Sequence, residues 1–227
     1  ADIPVMITFD GEWGLAMRIP GTPSFPRNGT LGEIEDESLL YEYGREVARQ
    51  MKELKVHVNF APVADVNTNP KNPVIGNRSF GDDPKKVARQ VIAYAQGLED
   101  GGVLSVSKHF PGHGDTDLDS HLALPTLNFG RERLDSIELY PFREAFKAGL
   151  GGVMVAHLDI PALEPERGRP ASLSKAVVTD LLQNEMGFKG LIFTDALEMK
   201  GVANHTNVCL QALKAGNDMI LVPPRIK

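Results

Sequence analysis

Residues 107–121 concentrate side chains that can exchange protons or bind a metal, with three histidines and three aspartates. Imidazole and carboxylate are common zinc and iron ligands, but no HExxH pattern is present, and this disfavours a metal site. Asp119 and His121, two residues apart in an extended loop, can point the same way. The carboxylate can then orient the imidazole as a general acid or base. A polar surface loop is the remaining interpretation, since Asp-x-His pairs are common.

Asp195 is a second candidate, because it directly follows the apolar run at residues 191–194. A carboxylate at the end of a buried strand can act as a nucleophile or counter-charge for an oxocarbenium-like centre. It could equally cap a following helix. We expect the cations Lys108, Arg18 and Arg78 near the same site to keep this carboxylate ionised, although each could also be an ordinary surface charge.

Short apolar runs alternate along the chain with amphipathic stretches, which predicts parallel strands joined by helices. The predicted strands are residues 5–9, 56–60, 103–107, 153–156, 191–194 and 219–222. The predicted helices are residues 38–54, 84–100, 131–148 and 174–186, with Asp83 and Ser174 as N-caps of two of them.

Polar residues follow one predicted strand after another: Asp10, residues 59–65, Lys108 with His109, His157 and Asp195. The upper face of a barrel collects side chains from many strand ends, whereas an open sheet gathers its site at one switch point. The sequence therefore predicts an α/β fold, a (β/α)₈ TIM-type barrel. We expect parts of the barrel to be missing, because 227 residues are fewer than the ~250 that a full barrel typically takes. The family resemblance described below implies that the barrel is incomplete at both ends.

The composition limits the classes of partner. The net charge of −6, without a cluster of lysine and arginine, disfavours nucleic acid. The sequence contains no apolar run long enough for a membrane span. A single cysteine, Cys209, cannot form an intramolecular disulfide, so the redox compartment and the localisation stay open.

Several segments together resemble glycoside hydrolase family 3, in its bacterial β-N-acetylglucosaminidase branch. Residues 108–114 followed by 119–121 resemble the family signature. Further agreement follows in chain order at residues 10–14 with Arg18, 59–66, 77–81 and 187–197. Trp13, where the family usually has glycine, and Ala196, where many relatives carry a second acid, depart from the pattern.

The resemblance implies roles for individual residues. Asp195 falls on the nucleophile of a retaining mechanism, His121 on the acid/base and Asp119 on its supporting partner. The positions that resemble sugar hydroxyl-binding residues are Asp10, Arg18, Arg78, Lys108 and His109.

The resemblance also implies one catalytic barrel domain over residues 1–227, with room for an additional domain outside this chain. The implied substrates carry a terminal β-linked N-acetylglucosamine, as in peptidoglycan fragments, chitooligosaccharides or glycans, and no metal or organic cofactor is implied. A β-glucosidase, whose branch takes its acid from a second domain, and a sugar-binding module without turnover are the alternatives.

Overall fold

A computed structural model describes residues 4–118 and 123–224. Its strands lie in two sheets of three. The first contains β1 (Thr8–Phe9), β2 (Val58–Asn59) and β3 (Leu104–Ser105), and the second contains β4 (Ser107–Phe110), β5 (Gly152–Val155) and β6 (Leu191–Thr194).

The strands form one continuous parallel wall in chain order. β1 pairs with β2 and β2 with β3, and only Val106 separates β3 from β4 along the chain. β4 then pairs with β5 and β5 with β6, and Phe193 of β6 forms a parallel bridge to Met219. A barrel wall has this sequential parallel order, whereas the order of a doubly wound sheet reverses at its switch point. The predicted barrel-type fold is confirmed.

Helices cover the outside of this wall. They are α1 (Asn28–Leu31), α2 (Glu37–Glu53), α3 (Pro84–Asp100), α4 (Arg131–Ser136), α5 (Tyr140–Lys147), a π-helix (Ala176–Glu185) and α6 (Val208–Ala215). The bounds of α3 are those predicted, and the Asp83 side chain accepts a hydrogen bond from the Lys85 N–H as its N-cap. The π-helix begins two residues after Ser174, whose Oγ accepts from the Val177 N–H at 3.1 Å.

The single helix predicted over residues 131–148 is wrong, because the chain forms α4 and α5 with a break from Ile137 to Leu139. Pro141 explains the break. It has no N–H to donate to the carbonyl of Ile137, and its ring would collide with that carbonyl in a continuous helix. Three predicted strands are also shorter than expected. The strand predicted over residues 5–9 is only Thr8–Phe9, with Val5 79% exposed, and the one predicted over 56–60 is only Val58–Asn59. Residues 219–222 contribute only the bridge at Met219.

The inner face of the wall carries a small apolar cluster, formed by Val58, Phe60, Val106, Met154 and Phe193. The Phe60 and Phe193 rings meet edge to face, with centroids 5.5 Å apart. Side chains two residues apart on a strand share a face. Residues two positions further along, towards the carboxyl ends of the strands, therefore lie one layer above this cluster. A larger core fills the space between the wall and the helices. Among the described residues, no helix is long and apolar enough to cross a membrane.

Candidate active site

Lys108 and Asp195 stand one layer above the apolar inner cluster, because they follow Val106 and Phe193 by two residues. Lys108 is almost fully buried, and its Nζ donates to Asp10 Oδ1 at 2.7 Å and lies 2.9 Å from Glu12 Oε1. Burial alone would lower the pKa of Lys108, but the carboxylates of Glu12 and Asp10 raise it above its ordinary value. The ammonium group is thus held charged at the carboxyl end of the wall.

Glu12 links Lys108 to Arg78. The Arg78 guanidinium makes a two-pronged contact, with Nε 2.9 Å from Glu12 Oε2 and Nη2 2.6 Å from Oε1. Glu12 is fully buried. Burial would raise the pKa of its carboxyl, but Lys108 and Arg78 hold this pKa far below its ordinary value. Arg78 keeps about a fifth of its side chain exposed, so it can still reach a ligand.

Asp10 and Arg18 form the more exposed end of this charged network. Arg18 Nη2 donates to Asp10 Oδ2, and about half of the Arg18 side chain is exposed. Burial would raise the pKa of Asp10, but the interactions with Lys108 and Arg18 lower it. Both side chains therefore carry charge where a polar ligand could meet them.

His109 is positioned by a fully buried carboxylate, that of Asp65. His109 Nδ1 donates to Asp65 Oδ2 at 2.6 Å, and the His113 N–H donates to Asp65 Oδ1 at 2.7 Å. Burial would raise the pKa of Asp65, but His109 and His113 lower it. His109 Nε2 lies 3.4 Å from Arg78 Nη2, which joins this pair to the network around Glu12.

Asp195 follows β6, and its Oδ1 accepts a hydrogen bond from the N–H of Ala196 at 2.8 Å. Burial would raise the pKa of its carboxyl. Interactions with His109, His157, the Ala196 N–H and Lys108 outweigh burial and lower this pKa below its ordinary value. His157 is held beside Asp195, since its Nε2 donates to the Ala196 carbonyl at 3.0 Å.

One alternative for Asp195 is excluded, and one expectation about its surroundings needs correction. The next helical turn is Lys200–Val202, capped by Met199, so Asp195 does not cap a helix. Arg18 and Arg78 pair with Asp10 and Glu12, and of the three expected cations it is Lys108 that stands among the main causes of the lowered Asp195 pKa.

The structure thus brings Asp10, Arg18, Arg78, Lys108 and His109 into one network. Two of its members, His109 and Lys108, are among the groups that lower the pKa of the candidate nucleophile Asp195. Asp119 and His121 lie outside the described residues.

Trp13, which follows Glu12, packs against Arg27, whose Cζ lies 4.5 Å from the ring centroid. Among the described residues, no group of three or more histidine, cysteine or acidic side chains is arranged to hold a metal ion.

Sequence reasoning missed Glu12 and Asp65 as functional residues. Each is a fully buried carboxylate that holds cationic or imidazole side chains in place. The sequence position of Glu12 could have indicated a site residue, because Glu12 stands two residues after Asp10 at the end of the first strand. Its partners Arg78 and Lys108 are distant in sequence, so the pairing itself required the fold.

Glu12→Gln is expected to raise KM and to lower the free energy of unfolding by about 3 kcal/mol, because it leaves buried cations without their counter-charge. Since the pKa of Glu12 is lowered on folding, its contribution is present at pH 7 and is lost only as the pH falls through that lowered pKa. Urea unfolding at pH 7 measures the loss. Glu46→Gln, which affects the exposed pair with Arg49, is the control and should leave the urea midpoint close to that of the wild type. Equal midpoints for both variants would contradict the role given to Glu12.

A parallel barrel wall with charged side chains gathered at its carboxyl end is the arrangement of a barrel enzyme site. Comparison with known proteins identifies the family: residues 1–227 match the model for the glycosyl hydrolase family 3 N-terminal domain. The chain belongs to glycoside hydrolase family 3.

Related proteins agree with this assignment. The chain is 36% identical to β-hexosaminidase A of Pseudoalteromonas piscicida, over 100% of this chain and 41% of that protein. It is also 36% identical to a β-hexosaminidase of Nitrosomonas eutropha, over 96% of this chain and 65% of the relative. Among solved structures, a family 3 β-N-acetylglucosaminidase from Paenibacillus sp. str. FPU-7 superposes with a TM-score of 0.94 at 44% identity, over 99% of this chain and 43% of that one. This chain therefore spans less than two thirds of each of these relatives.

Proposed function

We propose that this protein is a retaining β-N-acetylglucosaminidase that removes terminal, non-reducing β-linked N-acetylglucosamine. The observation that carries the proposal is Asp195: a carboxylate at the end of a barrel strand whose pKa stays low despite burial. An ionised carboxylate in that position is suited to attack an anomeric carbon. The names of the relatives, β-hexosaminidase and β-N-acetylglucosaminidase, support the same sugar.

The charged network is suited to bind the hydroxyl groups of the sugar. Asp10 accepts hydrogen bonds, whereas Arg18, Arg78 and Lys108 donate them. Because their counter-charges already fix them in place, little side-chain entropy is lost when a sugar binds. His109, held by Asp65 through Nδ1, presents Nε2 on the side of Arg78. These residues are the proposed binding surface for the sugar ring.

The reaction we propose is a double displacement. Asp195 attacks the anomeric carbon while His121, supported by Asp119, donates its proton to the glycosidic oxygen, and the leaving group departs as an alcohol. We assign the attack to Oδ2, because Oδ1 accepts from Ala196. His121, now neutral, takes a proton from water as the water displaces Asp195 from the glycosyl-enzyme, and the configuration is retained.

A pair of chromogenic substrates tests the proposal. An aryl β-N-acetylglucosaminide should release its phenol readily, and the matched aryl β-glucoside should release it much more slowly. Preference for the glucoside would support a β-glucosidase, and release from neither would support a sugar-binding module. Peptidoglycan fragments, chitooligosaccharides and glycoprotein glycans in parallel assays then identify the natural substrate class.

Asp119→Asn is expected to move the basic limb of the kcat/KM profile down by roughly 1 pH unit, because the imidazolium of His121 loses a neighbouring negative charge. The acid form of His121 then loses its proton at lower pH. A pH–rate series with an N-acetylglucosaminide that has a poor leaving group measures the limb. If Asp119 instead binds the acetamido group, the limb stays in place and the preference over the glucoside collapses, which would contradict the dyad.

A further inference from the structure

The backbone between Asp10 and Glu12 is held by the side chain of Asn59. Asn59 Oδ1 accepts a hydrogen bond from the Gly11 N–H at 3.0 Å, and Asn59 Nδ2 donates to the Gly11 carbonyl at 3.1 Å. One fully buried amide thus binds the peptide group that follows Asp10 and the peptide group that precedes Glu12. Asn59 therefore fixes the backbone that carries both carboxylates.

The Asn59 side chain continues the pairing of β2 with β1 where the backbone of β2 can no longer do so. Alternate N–H groups of β2 donate to carbonyls of the first strand, and the last of these bonds runs from Phe60 to Phe9 at 2.8 Å. The next donor in this series would be Pro62, which has no N–H. An asparagine amide has both donors and an acceptor, so Asn59 can bind the C=O and the N–H of Gly11 in its place.

Other contacts to this segment meet only carbonyl oxygens. Tyr94 Oη lies 3.3 Å from the Gly11 oxygen and 3.2 Å from the Glu12 oxygen. Tyr43 Oη also lies 3.2 Å from the Glu12 oxygen, and the Gly14 N–H donates to the Gly11 carbonyl at 3.2 Å. The Gly11 N–H, by contrast, bonds the side-chain amide alone among the described residues. Loss of the amide would leave a buried N–H without its partner, which favours a shift of the backbone.

A shift at Gly11 would reach the charged network directly. The packing leaves little room to absorb it, since a Cβ on Gly11 would lie 2.4 Å from Met51 Cε. Asp10 Oδ1 and Glu12 Oε1 hold the Nζ of Lys108 at 2.7 and 2.9 Å. Both carboxylates stand next to Gly11 in the chain, so the ammonium group depends on the same short piece of backbone.

We propose that Asn59 is a positioning residue for sugar binding: it sets the place of Asp10 and of the network that Asp10 shares with Glu12. The inference rests on the proposed function, in which Asp10 binds a sugar hydroxyl. Asn59 acts from outside the binding surface, because its neighbours Val58 and Phe60 belong to the inner cluster and alternate residues of a strand face opposite sides. Its loss should weaken binding of the substrate and of the transition state alike.

Asn59→Leu tests this proposal, because it removes both hydrogen bonds and keeps a side chain of similar size. We expect KM for an aryl β-N-acetylglucosaminide to rise by about 10-fold, the effect of roughly one hydrogen bond. The inhibition constant of free N-acetylglucosamine should rise by the same factor. The value of kcat should change by less than about 2-fold, because the lost interaction is common to the ground state and the transition state.

Ser105→Ala is the matched control. Ser105 is fully buried and lies opposite Asn59 in the register of β2 and β3, and its Oγ donates to Glu99 Oε1 at 2.6 Å. Ser105→Ala should lower the thermal midpoint and leave KM and the inhibition constant at their wild-type values. Equal rises of KM in the two variants would show that Asn59 only stabilises the fold.

A double-mutant cycle with Asp10→Ala adds a readout that a structural role would not move. If Asn59 acts through Asp10, the step from Asp10→Ala to the double variant should raise KM by at most about 3-fold, because the two effects are coupled. The full 10-fold rise in that background would overturn the proposal. If Asn59→Leu fails to fold, Tyr94→Phe, which removes only the hydroxyl beside the Gly11 and Glu12 carbonyls, should give a smaller rise in KM, and an unchanged KM would overturn the proposal.

Asp10→Ala also distinguishes failure of this inference from failure of the proposed function. If Asp10→Ala raises KM and the inhibition constant but Asn59→Leu does not, the positioning role is wrong and the proposed binding surface stands. If Asp10→Ala itself leaves both constants unchanged, the proposed binding surface is wrong, and the role of Asn59 is overturned with it.

Discussion

Asp195→Ala is expected to lower kcat on an aryl β-N-acetylglucosaminide by on the order of 10⁴-fold or more, as loss of a nucleophile does in other hydrolases. The proposed bond to the anomeric carbon cannot form without this carboxylate. Folding should be preserved, because the Asp195 backbone N–H still donates to the Val155 carbonyl, and the apolar layer below depends on Phe193. Steady-state kinetics with a thermal unfolding curve measures both effects.

Glu198→Ala is the matched control for this result. Glu198 is an exposed carboxylate three residues after Asp195, and we give it no role in the reaction. Its loss should leave both kcat and Tm near the wild-type values. If Asp195→Ala turned over the substrate at a near-wild-type rate, this would contradict the role of Asp195 as the nucleophile.

His121→Ala is expected to slow substrates with poor leaving groups by about 10²- to 10⁴-fold, the usual contribution of a general acid. An activated aryl glycoside needs little proton donation, so its first step should remain fast. Breakdown of the glycosyl-enzyme also requires His121 as a base and should become slow. Stopped-flow measurement of phenol release should therefore show a burst followed by slow turnover.

The control for His121→Ala is His57, which lies just before β2 at the opposite end of the wall from the charged network. Its Nδ1 accepts a hydrogen bond from the Ile7 N–H at 3.0 Å. His57→Asn should keep wild-type kinetics and produce no burst. Equal losses of His121→Ala on activated and poor leaving groups would mean that His121 binds the substrate rather than transferring protons.

The sequence predicted those parts of the fold that depend on local pattern. α3 was correct at both ends, and its start was predictable because Asp83 and Pro84 are start signals that act within one turn. The parallel order of the wall followed from the alternation of apolar strands and helices. The break at Ile137 was missed because helical spacing of apolar residues continues across it, although Pro141 could have indicated it.

The candidate site was predictable as a set of residues but not as a set of contacts. The resemblance selected Asp10, Arg78 and Lys108, whose side chains do converge. It gave no reason to connect them through Glu12, since that contact depends on how the first strand and the Arg78 turn pack together.

Mass analysis of the glycosyl-enzyme is the most direct test of the proposed mechanism. His121→Ala, mixed with an activated aryl β-N-acetylglucosaminide and quenched after the burst, should carry one added N-acetylglucosaminyl group. Peptide mapping should place that group on the peptide that contains Asp195, and the adduct should disappear when azide is added. A label on another residue, or continued hydrolysis without any covalent adduct, would contradict a double displacement through Asp195.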